Sequence, residues 1–216
     1  MNYLTNLWNA LDLGAMKDLF LRLVSVFLCL TVHETCHGLA AYALGDPTAK
    51  RQHRLSLNPL RHIDWFGLAA MVIAGFGWAK PVPVNPNYFK KPKQGMALTA
   101  LAGPVSNFVL ALVLLLTVRL MWHPELSYIG DGMLFLLETA ILSIGLGLFN
   151  LIPIPPLDGS KILFALLPDR QYRFVLRYER YGMLLLWVLV LSDIGGDWLS
   201  NAIYFVFSIF CRIVGI

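Results

Sequence analysis

The chain has 216 residues, of which 57% are hydrophobic and 14% charged, with a mean hydropathy of +0.64. That balance excludes an ordinary soluble domain and predicts an all-α integral membrane protein, multi-pass in the cell membrane. The formal net charge of +4 sits in short loops between apolar runs, where it reads as orientation charge and not as a nucleic-acid surface.

Taken in chain order, the first apolar run covers 19–44. An Asp-containing segment precedes it instead of a basic leader, so it is expected to be retained, not cleaved as a signal peptide. Further spans are predicted at 96–118, 132–154, 179–193 and 198–214, giving about five transmembrane helices, since each needs about 20 apolar residues. The fourth is short, its apolar heart running only from Gly182 to Leu191. It either crosses or forms a hairpin with the fifth. The whole chain, 1–216, reads as one membrane domain, with a core at about 19–165 and C-terminal helices at about 179–214. Cys29, Cys36 and Cys211 lie within apolar segments and read as packing residues, not a disulfide framework. No internal repeat suggests an inverted-repeat transporter.

Residues 65–79 are apolar but short and contain Gly67, Gly75 and Gly77. They read either as a short crossing helix or as a re-entrant element. Charge favours the second. If the segment dips in and returns, Lys50, Arg51, Arg54 and Arg61 join Lys80, Lys90, Lys91, Lys93, Lys161, Arg170, Arg173, Arg177, Arg180 and Arg212 on one face. Lys17, Arg22 and Arg119 are left to the other face, and the positive-inside rule makes the basic face cytoplasmic. Re-entrant backbone needs a covering protein wall or a watery cavity.

Positions 33–37 read His-Glu-Thr-Cys-His inside the first predicted span. Residues four apart share a helix face, so both imidazoles can face one metal ion, with Glu34 about 100° away. That is the arrangement of two zinc ligands and one base. Ionisable groups within a span are costly and functional by default. A catalytic zinc takes three protein ligands and leaves one position open. His53, His62 and His123 read as solvated loop histidines. Asp158 ends the stretch FNLIPIPPLDG, whose prolines break the third span at the expected cytoplasmic side. Its carboxylate reads either as a helix cap or as a ligand.

Asn150 and Asn107 are candidates to orient substrate or to donate to a developing oxyanion; Asn107, close after Gly103 and Pro104, reads more readily as a residue joining two helices. Arg51–Leu57 and Lys80–Val84 are either short extended segments able to pair with an unwound substrate or plain loops.

HETCH together with LDG at 157–159, the latter preceded by Asn150 and Pro153, resembles the site-2 protease family of intramembrane metalloproteases, especially its small bacterial members without a PDZ domain. GDPTAKRQHRLSLNPLRHID (45–64), GWAKPVPVNP (77–86) and AGPVSN (102–107) extend the likeness over most of 30–165. The resemblance implies one Zn2+ held by His33, His37 and Asp158, with Glu34 as catalytic base and Asn150 near the reaction. It also implies single-span or signal-peptide-like membrane protein substrates, cut in or near their transmembrane segments in regulated intramembrane proteolysis.

Overall fold

The computed structural model describes residues 13–67, 69, 80–122, 130–168, 171, 181–182, 184–186, 188–189 and 196–216. In chain order the helices are α1 (Leu13–Ala43), α2 (Thr48–Arg51), α3 (Pro92–Met121), α4 (Asp131–Asn150), α5 (Asp158–Ala165) and α6 (Gly196–Val214). Four of these, α1, α3, α4 and α6, are long and apolar enough to cross a membrane. They match the spans predicted at 19–44, 96–118 and 198–214, and most of the one at 132–154. That helix stops at Asn150, four residues early, because Pro153 offers no N–H for a helical bond and disfavours helical backbone before it. The segment predicted at 179–193 lies largely outside the described residues; 181–182, 184–186 and 188–189 are helical.

The helices pack along stripes of small or polar residues spaced by four. On α1 the stripe is Ser25, Cys29, His33, His37 and Ala41, all buried. On α3 it is Gly95, Thr99, Gly103, Asn107, Ala111 and Leu115, also buried. Rows four apart form the ridges by which helices interdigitate. In lipid, where apolar burial gives no drive for association, small side chains allow the close approach and hydroxyls bond across the gap. Ser25 Oγ and Thr139 Oγ1 are 2.7 Å apart, joining α1 to α4. Ser143 Oγ on α4 donates to the Asn107 carbonyl on α3 at 2.8 Å. Ala111, Leu114, Leu115, Ala140 and Ile144 form the apolar centre, against which α6 lays Val206, Phe207 and Phe210. The opposite side of α3 exposes Leu98, Val105, Val109, Val113 and Leu120, the side chains a lipid-facing surface requires.

An exposed Lys17–Asp131 ion pair joins the N-terminal ends of α1 and α4, so these helices run parallel and α3 runs back between them. The C-terminal end of α1, the N-terminal end of α3 and the C-terminal end of α4 therefore share one end of the bundle. Lys80 N–H donates to the His62 carbonyl at 2.9 Å. Residues 62 and 80 are thus adjacent; the element predicted at 65–79, crossing or re-entrant, lies largely outside the described residues. At its C-terminal end α6 brings Gly215 beside Arg119, at the opposite end of the bundle. Arg212 therefore belongs with Lys17 and Arg119, a correction to the predicted charge tally.

The anticipated β-strands are absent among the described residues. Arg51 closes α2, and His53 has φ 54°, a left-handed conformation that no strand continues through. Lys80–Val84 has no strand partner: Pro81 and Pro83 lack N–H groups, and the Val82 N–H is bonded to a side chain.

Candidate metal centre

Helical geometry alone brings two imidazoles together on α1. His33 Nε2 and His37 Nε2 are 2.9 Å apart, at positions roughly 15 Å and 9 Å before the end of the helix by its rise per residue. The third group arrives from the start of α5. Asp158 Oδ2 lies 3.1 Å from His33 Nε2 and 3.0 Å from His37 Nε2. All three residues are buried, and together they could hold a metal ion.

A tetrahedral ion with ligands at about 2.0–2.1 Å sets them roughly 3.3 Å apart. The observed triangle would need to open by only a few tenths of an ångström, and two imidazoles with one carboxylate suit zinc. Burial pushes the Asp158 carboxyl upward, but hydrogen bonds with His33 and His37 and the Lys161 charge outweigh that and hold it below the usual carboxylate range.

The far ring nitrogens are also engaged. His37 Nδ1 lies 2.7 Å from the Thr99 carbonyl, which can only accept; Nδ1 therefore carries a proton, so that in the neutral ring Nε2 is the nitrogen able to give its lone pair to a metal. His33 Nδ1 lies 3.3 Å from Asn107 Nδ2. Gly103, one turn along α3, faces both rings. A Cβ there would overlap His37 Nε2 and come within 2.5 Å of His37 Cε1 and 2.7 Å of His33 Cε1. Only glycine lets α3 lie against the paired imidazoles. Gly159 does the same for the loop: a Cβ would overlap the Leu151 carbonyl and lie 2.6 Å from Ile152 O. The Asp-Gly pair thus lets the α5 start tuck beneath the end of α4 and aim Asp158 at α1.

The three groups line a cavity of about 280 Å³ together with Glu34, Val82 and Asn150. Glu34 Oε2 accepts the Val82 N–H at 2.9 Å. The segment carrying Val82 is tied down further along, where Asn85 N–H donates to buried Asp46 Oδ2 at 2.6 Å. Asn150 donates one amide hydrogen to Leu146 O at 3.0 Å, leaving its second N–H for another acceptor.

His33, Glu34, His37, Asn150 and Asp158 therefore line one cavity. Asn107, a candidate oxyanion donor, instead lies behind His33 on the side away from the ligand triangle. Thr99, Gly103 and Val82 were not singled out for the site. The four-residue spacing through Gly95, Thr99, Gly103, Asn107 and Ala111 is the signal that marks the α3 face.

The profile of peptidase family M50 matches residues 128–192, a stretch that includes Asn150 and Asp158. YwhC of Bacillus subtilis, named as a candidate zinc metalloprotease, is 40% identical over 176 residues, 80% of each chain. Rip2 of Mycolicibacterium smegmatis, named likewise, is 29% identical over 84% of this chain and 70% of its own. Rip2 of Mycobacterium tuberculosis is 30% identical over 85% and 71% respectively. No solved structure matches the chain. The chain belongs to peptidase family M50, the site-2 protease family of zinc metalloproteases, and is a multi-pass membrane protein.

Proposed function

We propose that this protein is an intramembrane zinc endopeptidase, acting as a single domain, that hydrolyses peptide bonds in or near the transmembrane segments of membrane proteins. The observation that carries the reading is the convergence of His33, His37 and Asp158 beside Glu34 in one cavity within the bundle. His33, His37 and Asp158 would hold the ion. Zinc, when bound, lowers the pKa of a coordinated water and polarises a carbonyl. Glu34 takes the proton of the attacking water and returns it to the leaving amine. The Val82 N–H fixes one Glu34 oxygen, leaving the other to face the reaction. Asn150, with one amide hydrogen uncommitted to its own helix, supplies a hydrogen bond to substrate or to the developing oxyanion.

The end of the bundle carrying the site also carries Lys50, Arg51, Arg54, Arg61, Lys90, Lys91 and Lys93, which supports a cytoplasmic active site. Substrates are single-span or signal-peptide-like segments, which must unwind locally before a carbonyl can reach the metal, and the setting is regulated intramembrane proteolysis.

The test is Glu34→Gln in purified full-length protein presented with single-span substrates. Cleavage is expected to disappear while zinc content stays at one ion per chain. Cleavage persisting in that variant would remove Glu34 from the mechanism and with it this reading.

A further inference from the structure

Asn107 is fully buried on α3, and its side chain carries an inconsistency that the chemistry of the site resolves. Its Nδ2 lies 3.3 Å from His33 Nδ1, while its Oδ1 has no hydrogen-bond partner among the described residues. A neutral imidazole carries one proton, on one ring nitrogen. Once His33 Nε2 gives its lone pair to a metal, the proton sits on Nδ1. Nδ1–H would then face an NH2 group, donor against donor. A half-turn of the carboxamide about its Cβ–Cγ–N/O axis exchanges the two atoms, brings Oδ1 to the ring and gives the orphaned acceptor its donor. Leaving a buried polar atom unpaired forfeits its hydration with nothing in return, so both groups favour the exchange. His37 already shows the same arrangement, with its Nδ1 directed at the Thr99 carbonyl one helical turn before Gly103.

We propose that Asn107 is the positioning residue of His33: its Oδ1 accepts the Nδ1–H, fixing the tautomer and ring plane in which Nε2 can bind the metal. α3 then supports both histidines of α1 from behind, one through a side-chain oxygen and the other through a main-chain oxygen, with Gly103 leaving room between them. Ser143 holds Asn107 by its main-chain carbonyl, so the carboxamide is anchored on a rigid helix contact and not on a loop. The inference rests on the metal-binding part of the proposed function, not on its peptidase part.

The experiment measures zinc affinity by chelator competition on the full chain in detergent, without reference to cleavage. Asn107→Leu, similar in size but unable to accept, should bind zinc about 10- to 100-fold more weakly, the usual effect of removing a partner behind a ligand histidine. Asn107→Asp keeps an acceptor oxygen and should stay close to the unsubstituted protein. Equal affinity in Asn107→Leu, or equal loss in both variants, would overturn the proposal and leave Asn107 as a packing residue. A second measurement needs no variant. In the zinc-loaded protein, nitrogen NMR of labelled histidine should find His33 protonated at Nδ1 and hydrogen-bonded; an unprotonated Nδ1 would also overturn it. A chain that binds no zinc at all would instead sink the reading of the metal centre, whereas persistent cleavage by Glu34→Gln would leave the role of Asn107 untouched.

Discussion

Gly103→Ala adds a single methyl group facing His33 and His37, and the distances set its effect. The new Cβ would lie 2.5 Å from His37 Cε1 and 2.7 Å from His33 Cε1, whereas non-bonded carbons rest at about 3.5 Å or more. Either the rings retreat by roughly 0.8–1 Å or α3 moves away by a similar amount to restore that separation. Neither is free: His37 is held by the Thr99 carbonyl and His33 lies against Asn107, both on the helix that would shift. A zinc site tolerates ligand displacements of only about 0.2 Å. Zinc affinity should therefore fall by about 10- to 100-fold, equivalent to about 1.4–2.8 kcal/mol. Chelator competition on purified protein reads this directly, and thermal unfolding of the zinc-stripped chain reads the cost to packing separately. Zinc affinity and cleavage rate both unchanged in Gly103→Ala would refute the account of α3 as the wall behind the histidines.

Three further outcomes follow from the same geometry. Val82→Pro removes the N–H that holds Glu34; a hydrogen bond to a charged group contributes about 1.5–3 kcal/mol, so kcat should drop about tenfold or more with zinc retained, and an unchanged kcat would show that this contact does not position the base. Gly159→Ala drives a methyl group into the main chain of Leu151 and Ile152. An overpacking cost of about 1–3 kcal/mol should appear as a lower unfolding temperature together with weaker zinc binding, and a stable, fully zinc-loaded variant would contradict the tucked loop. Acidification should release zinc, because both imidazoles must be deprotonated to bind. Equilibrium dialysis across pH should show loss on the acid side only, and a zinc content independent of pH would argue against histidine ligands.

Much of this protein was legible in one dimension. Long apolar runs determined that helices cross a bilayer, because no other open structure satisfies backbone hydrogen bonds there. Four-residue spacing determined that His33 and His37 share a face, because helical geometry is local. Three prolines after Asn150 marked where the third span ends. The anticipated strands failed because the sequence could not reveal where the Val82 N–H would go: it is taken by Glu34, 48 residues away. Tertiary structure alone decided that Asp158 meets His33 across 125 positions, that Gly103 gives way to both rings, and that Asn107 stands behind His33 and not in the cavity. Spacing along a helix is fixed by backbone geometry, whereas contacts between helices depend on which small residues allow two backbones to approach. That choice is made only when the stripes on α1, α3 and α4 pack together.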